Sequence, residues 1–291
     1  MVDLHMHTKH SDGEKSVIEI LQMAQEEKLD CISITDHDTL DAYEELKHLD
    51  INKYYTGKII TGVELKICYN KIPMEVLGYN FDIEKLKNSE WVNIQKKLDN
   101  QNIKLKYYKD LIKKLGLKFN ENIEINYSGF ADNTVFYELI SYEENFDKLK
   151  ELGVDISADL KGYYRGNVSN IENVFYFDET EYQLSLEKAV ELIHKAGGIA
   201  ILAHPLGTYE VENLEKIIDE MLDLKLLDGL ECMHRIMTKE QSDYLINLCN
   251  KHNLIMSGGS DYHRSSRDKF AYVNFKSTQI PNELVQRIVK I

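Results

Sequence analysis

The segment Val2-Asp-Leu-His-Met-His-Thr8 alternates apolar and polar side chains with the two-residue period of a β-strand. Residues i and i+2 of a strand share a face, so His5 and His7 project together, away from Leu4 and Met6. Near the other end, Gly258-Gly-Ser-Asp-Tyr-His263 gives Asp261 and His263 the same spacing if the segment is extended. Taken alone, each pair also fits one core side chain beside one surface side chain.

Outward from the first pair, strand and helix signals take turns. Ser16-Val-Ile-Glu19 has the form of a capping box and opens a helix with Val17, Leu21 and Ala24 near helical spacing. Cys31-Ile-Ser-Ile-Thr35 reads as a strand ending at Asp36-His-Asp38, and a short helix follows over 40–49. Segments 58–69 and 74–81 are further strand candidates. Later come a helix over 186–195 stopped by Gly197-Gly198, a strand over 199–203 ended by His204-Pro205, a helix over 211–224 and a strand over 229–233. Thr238-Lys-Glu-Gln241 is a second capping box, opening a helix to Lys251, and 254–257 is the last clear strand. This alternation predicts an α/β fold with a mostly parallel sheet. About seven units predict a distorted (β/α)7 TIM-like barrel with its chemistry at the C-terminal strand ends.

The alternation stops between Glu84 and Leu184. Segment 91–117 reads as one long Lys-rich helix, and 85–118 carries ten Lys against three acidic residues. Segment 120–184 reverses this, with fourteen acidic residues against four basic ones. A structureless loop of that length is implausible, so 84–184 is read as an inserted helical subdomain, with 1–83 and 185–291 as the barrel domain. The Lys-rich helix is read as a solvated face rather than a phosphate guide.

Bulk properties narrow the classes. The chain has 291 residues, 43% of them hydrophobic, enough for a sizeable core. It has no apolar run long enough for a membrane span and no secretory signal after Met1, and Cys31, Cys68, Cys232 and Cys249 form no CxxC pair. These features predict a cytoplasmic protein with reduced thiols and no membrane partner. A formal net charge of -14 disfavours long nucleic acid and favours a small phosphorylated substrate drawn in by metals.

Almost every strand ends in a residue type that ligates metal. The first supplies His5 and His7, with Asp12 just beyond; the second supplies Asp36 and His37. Glu64 and Glu75 follow, then His204, then Asp261 and His263. In a barrel these ends meet on one face. Imidazole mixed with carboxylate suits Mn, Fe or Zn, and suits Mg less well.

Asp3-Leu-His-Met-His-Thr8, Ser11-Asp-Gly13, Thr35-Asp-His-Asp-Thr39, Gly62-Val-Glu64, Ala203-His-Pro205 and Gly259-Ser-Asp-Tyr-His263 together resemble the motifs of the polymerase and histidinol phosphatase (PHP) superfamily. They occur in family order across nearly the whole chain. The resemblance is greatest to stand-alone phosphoesterases with a helical insertion. It implies a distorted barrel and a centre of about two to three divalent metal ions. By motif, His5, His7, Glu64 and Asp261 would hold one metal, Glu64 and His204 a second, and Asp12, His37 and His263 a third. The family usually has His where Met74-Glu-Val-Leu-Gly-Tyr79 places Glu75, so Glu75 is either a replacement ligand or a lumen carboxylate bonded to Lys or water.

The resemblance implies hydrolysis of a small phosphate ester, of nucleoside mono- or bisphosphate type. Alternatives are histidinol-phosphate phosphatase, short-oligonucleotide exonuclease and a non-catalytic, metal-stabilised binding module. Glu64, His37 and His263 are the expected catalytic residues. His234 is a further candidate, as an acid or as rim packing. Arg165, Arg235 and Arg264 are candidate substrate-binding residues because guanidinium grips phosphate well, although a surface role fits each.

Overall fold

Parallel pairing begins at the N-terminus of this computed structural model, which describes residues 1–89, 91–92, 94–125, 130–206, 214–274 and 276–289. Strand β1 (Val2–Asp3) pairs with β2 (Cys31–Ile32), and β2 with β3 (Lys58–Ile59), both in parallel. These ladders are shorter than the strands expected over 2–8 and 31–35. Side chains divert the next backbone donors: His5 N–H donates to Asp3 Oδ1 at 3.3 Å and Met6 N–H to Thr35 Oγ1 at 3.1 Å. Backbone pairing still runs on, from Ser33 N to Asp3 O and from Thr35 N to Met6 O.

The single strand expected over 58–69 divides into β3 and β4 (Gly62–Tyr69). Strand β5 (Ile72–Tyr79) returns through Asn70 and Lys71, whose φ angles of 50° and 68° belong to a tight hairpin turn. It then lies antiparallel to β6 (Ile199–Leu202), which is followed by β7 (Gly229–His234) and β8 (Ile255–Gly259) in parallel. The pairing is therefore mostly parallel, as expected, with β5 as the antiparallel exception. Two residues cannot carry a chain back to the start of a parallel neighbour.

The fold is mixed α/β, with the ladders forming a three-stranded sheet, β1-β2-β3, and a five-stranded sheet, β4-β5-β6-β7-β8. Backbone bonds join the two at both sides. Leu4 N donates to Gly258 O, Asp261 N to His5 O and His7 N to Tyr262 O; on the other side Glu64 N donates to Asp36 O and Asp38 N to Glu64 O. Val2, Leu4, Leu77, Ile201 and Val273 share one apolar cluster in this unit. Burying each such aliphatic side chain contributes roughly 1.5–3 kcal/mol.

Helices α1 (Val17–Glu26), α2 (Asp41–Leu46) and α3 (Ile83–Lys87) follow the early strands. Both bonds of the Ser16/Glu19 capping box form. Next come α4 (Ile94–Leu115), α5 (Ala131–Ile140), α6 (Phe146–Glu151) and α7 (Leu160–Tyr163). Then α8 (Leu186–Lys195), α9 (Leu214–Asp223), α10 (Lys239–His252) and α11 (Gln286–Val289) return among the later strands, and α10 carries the complete Thr238/Gln241 capping box. Positions 211–213 of the helix expected over 211–224 lie outside the described residues. The helix expected over 91–117 spans 94–115 and ends at Gly116, whose φ of 66° suits a residue without a Cβ.

The chain divides into two compact units. One holds 1–67, 74–93 and 184–291; the other holds 68–73 and 94–183. The second has its own core, in which Tyr108, Ile112, Val135, Phe136, Tyr163 and Phe175 are buried together. No helix among the described residues is long and apolar enough to cross a membrane.

Candidate metal centre

In the sheet-bearing unit the carboxylate of Glu64, on β4, is the hub. Its Oε2 lies 3.2 Å from His5 Nε2, 3.2 Å from His7 Nε2 and 3.2 Å from His37 Nδ1, and its Oε1 lies 3.0 Å from His204 Nε2. His5 and His7 arrive from the segment after β1, both fully buried, as their shared face requires. Gly259 makes room for His5: a Cβ there would sit 2.1 Å from the Cβ of His5. His37 follows β2 and pairs across to Glu64 in a parallel bridge.

Asp261 lies beside this hub. Its Oδ1 is 3.5 Å from His5 Nε2, 3.3 Å from His7 Nε2 and 3.4 Å from His263 Nδ1. Asp12 Oδ1 is 3.2 Å from His263 Nε2 and 3.8 Å from both His7 Nδ1 and His37 Nε2. Glu75 approaches from β5, with Oε2 3.3 Å from His204 Nε2 and Oε1 3.8 Å from His37 Nδ1. His204 and Asp261 both take positive φ, 27° and 47°, an uncommon conformation held where strand ends turn into the site.

The structure thus brings together His5, His7, Asp12, His37, Glu64, Glu75, His204, Asp261 and His263, whereas Asp36, also offered by the sequence as a ligand type, is engaged by Thr8 and Ser11 instead. His7, Asp12, His37 and His263 converge closely enough to hold one ion, as do His5, His7, Glu64 and Asp261, and as do His37, Glu64 and Glu75. Buried polar atoms are normally hydrogen-bonded. Here His5 Nε2, His7 Nε2, His37 Nδ1, Asp12 Oδ1 and Glu64 Oε2 are buried without a hydrogen bond. Nitrogen lone pairs and carboxylate oxygens left over at one point fit a divalent cation.

Electrostatics reflect the crowding of acids and imidazoles: against burial, acidic neighbours raise His5, His7 and His204 above the ordinary imidazole value. Burial pushes the Glu64 carboxyl up, but His5, His37 and His204 overrule it and hold it well below the usual range. Burial likewise opposes ionisation of Asp261, and Arg235, His263 and His234 reverse it. Burial drives His37 well below the ordinary imidazole value despite Glu64 and Asp12. Glu75 differs: burial and then the Glu64 charge push it up to about 7.

The remaining candidates are placed less centrally. His234 Nε2 is 3.2 Å from Asp261 Oδ2, and burial lowers its pKa to about 4. Arg235 is occupied by carboxylates, with Nε and Nη2 at 3.0 and 2.9 Å from Asp261 Oδ2 and Nη1 at 3.4 Å from Asp268 Oδ1. Arg264 is exposed, and its backbone N–H donates to Asp268 Oδ2. Arg165 has its backbone in the Tyr164–Val168 turn of the helical unit, and its side chain lies outside the described residues.

Sequence reasoning missed two supporting carboxylates, Glu231 and Asp268, and read a third, Asp36, as a ligand type rather than a support. Glu231 Oε1 accepts from His5 Nδ1 at 2.9 Å. Asp36 accepts from Thr8 N, Thr8 Oγ1 and Ser11 Oγ and so pins the turn after His7. Asp268 accepts from His263 N at 2.8 Å. Glu231 had a readable signal, a charge inside the apolar strand Gly229–Met233.

Comparison with known proteins then decides the family, because the PHP domain pattern matches residues 3–224. The chain belongs to the PHP domain family. A 5'-3' exoribonuclease of Haemophilus influenzae is 29% identical over 266 residues, covering 90% of this chain and 89% of that protein. A phosphoribosyl 1,2-cyclic phosphate 1,2-diphosphodiesterase of Eggerthella lenta is 21% identical, covering 96% of this chain and 98% of its own length. Among solved structures, a Bifidobacterium adolescentis protein named as a metal-dependent phosphoesterase aligns with a TM-score of 0.67 at 19% identity, over 99% of this chain and 95% of that one. This PHP protein is a hydrolytic enzyme, a metal-dependent phosphoesterase acting on phosphate esters. Its family and its His, Asp and Glu clusters imply divalent metal ions.

Proposed function

We propose that this PHP protein hydrolyses small nucleotide phosphate esters at a centre of about two to three Mn, Fe or Zn ions, the 5′ end of a short RNA included. The observation that carries the reading is the convergence of buried, unbonded nitrogen and oxygen atoms around Glu64. The substrate class is favoured by the exoribonuclease relative, which aligns along 90% of this chain. That relative also weakens the sequence-based argument that a net charge of -14 disfavours nucleic acid. The same reading takes 1–83 and 185–291 as one barrel domain, closed by the backbone bonds on both sides of the two sheets, with 84–184 inserted. Four buried free cysteines support a cytoplasmic enzyme.

His5, His7, Glu64 and Asp261 would hold one ion, Asp12, His37 and His263 another, and Glu64, Glu75 and His204 a third. Bound there, divalent ions supply Lewis acidity toward phosphoryl oxygens. The chain's own residues orient the ligands and keep their charge. Glu64 contributes to more than one group, so its two oxygens fix the spacing between groups. Arg235 neutralises the outer oxygen of Asp261 and leaves Oδ1 facing His5 and His7. Asp36 and Asp268 hold the loops that carry Asp12 and His263.

The test is a substrate panel assayed with Mn, Fe, Zn and Mg separately. It contains 5′-phosphorylated di- and trinucleotides, nucleoside monophosphates, 3′,5′-bisphosphates, a ribosyl cyclic phosphate and histidinol phosphate. Mononucleotide release from the short RNAs, or phosphate release from the nucleotides, is expected. Turnover confined to histidinol phosphate or the cyclic phosphate would reject the substrate class.

A further inference from the structure

We infer that Glu231 is a positioning residue that decides which ring nitrogen His5 offers to a metal and pins the turn carrying His204. The inference rests on the metal-centre reading above. Glu231 lies on β7 and is completely buried. A carboxylate placed there must be answered, and both of its oxygens are. Oε1 lies 2.9 Å from His5 Nδ1, and Oε2 accepts from the backbone N–H of His204 at 2.7 Å. An ionised carboxylate only accepts hydrogen bonds, so the proton of the first bond sits on His5 Nδ1. That leaves the Nε2 lone pair of His5 facing Glu64 Oε2 and Asp261 Oδ1, where Nε2 has no hydrogen bond.

The second oxygen acts on backbone. His204 has φ of 27°, a conformation that costs a non-glycine residue free energy unless its surroundings hold it. The bond from His204 N to Glu231 ties that turn to β7, and the imidazole then reaches Glu64 at 3.0 Å. One carboxylate therefore orients residues of two neighbouring ligand groups. His5, Glu231 and His234 also converge closely enough to hold an ion. Because both Glu231 oxygens are already engaged and His5 Nδ1 is spent on one of them, this trio is a support rather than a further ion site. His263 shows the same device in a simpler form, with Nδ1 2.9 Å from the Asp261 carbonyl.

The Glu231→Gln variant separates orientation from mere space filling, because the amide keeps the volume and cannot satisfy both partners. If its oxygen accepts from His5, its NH2 faces the His204 N–H, donor against donor. If it turns over, its NH2 donates to His5 Nδ1, and the ring must carry its proton on Nε2, the atom that should ligate. Either way one ligand group loses its arrangement. Removing such a support typically weakens metal binding by roughly 10–100-fold.

The experiment is titration of metal-stripped wild-type and Glu231→Gln protein with Zn2+ alone, followed by calorimetry, beside histidine 15N spectra of the zinc-loaded wild type. Expected results are a roughly 10–100-fold weaker tightest site in the variant, with an unchanged far-UV spectrum, and a His5 ring in the wild type protonated at Nδ1 and zinc-bound at Nε2. Equal zinc affinity in the two proteins would overturn the inference, as would zinc on His5 Nδ1. The spectra decide the matter by themselves if the variant does not fold. A wild type that binds neither Zn2+ nor Mn2+ would instead reject the metal-centre reading on which the inference stands.

Discussion

Each compact unit buries an ionisable side chain at its heart, and the two are answered differently. In the helical unit Lys104 is buried, with Nζ 3.1 Å from Asp132 Oδ1 and 2.6 Å from Glu179 Oε1. The chain itself supplies the counter-charge, and the two carboxylates raise the lysine pKa against the effect of burial. In the sheet-bearing unit Glu64 is just as buried, but imidazoles surround it, and Asp12, Glu75, Asp261 and Glu231 crowd nearby. Arg235 is engaged by Asp261 and Asp268. Buried charge alone therefore does not mark a site. Surplus donor atoms do, because they require something from outside the chain.

The largest expected effect comes from breaking the surplus. Glu64→Gln keeps the shape of the hub and removes the charge shared among the ligand groups, so turnover should fall by roughly a thousandfold or more. Metal analysis of the folded variant should find fewer ions per chain. A folded, metal-loaded Glu64→Gln enzyme with unchanged kcat would contradict the assignment.

Breaking the self-sufficient pair should cost stability instead. Lys104→Met leaves Asp132 and Glu179 without their cation, a loss of about 3–5 kcal/mol for a buried pair stripped of one partner. Urea unfolding followed in the helical unit measures this, and zinc affinity at the metal centre should not move. The comparison is wrong if Lys104→Met weakens zinc binding as much as it weakens the fold.

Metal removal sharpens the contrast a step further. An ion present at 100 times its Kd stabilises the form that binds it by about 2.7 kcal/mol. Chelation should therefore speed hydrogen exchange at Leu4–His7 and Leu230–His234, next to the ligands, and leave Ile112 and Val135 of the helical core as they were. Uniform loss of protection in both units would show that the ions do not act locally.

The sequence carried these two regions unequally. His5 with His7 was legible because two-residue spacing puts side chains on a shared face, whereas Asp261 and His263 reach the site from a segment that is not extended, Asp261 having a φ of 47° beyond the end of β8. Both capping boxes were legible because the motif contains its own hydrogen-bond partners. The return of β5 was not, because Asn70-Lys71 lacks the Gly that usually announces a tight hairpin. Ladder lengths were also hidden, since only the fold brings Thr35 Oγ1 to Met6 N. Arg235 looked free for phosphate in sequence, and tertiary structure commits it to Asp261 and Asp268.

The smallest effect concerns Glu75, the position where the family usually has His. Its side chain is 20% exposed, against 1% for Glu64, so it stands at the rim of the cluster rather than at its hub. Its oxygens lie 3.3 Å from His204 Nε2 and 3.8 Å from His37 Nδ1, close enough to complete a ligand group with Glu64. A carboxylate there is a harder donor than an imidazole and adds negative charge, so the group should favour Mn or Fe(II) over Zn relative to a His-bearing relative. Glu75→His should therefore tighten zinc binding at this group and weaken its preference for manganese. Glu75→Ala should cost roughly tenfold in activity at limiting metal, because the group then rests on Glu64 and the imidazoles alone. Competition titrations with Zn2+ and Mn2+ on the three proteins measure both effects. If Glu75→Ala keeps the metal content, metal preference and rate of the parent, Glu75 only lines the site, and the ligand groups are complete with Glu64 as their shared carboxylate.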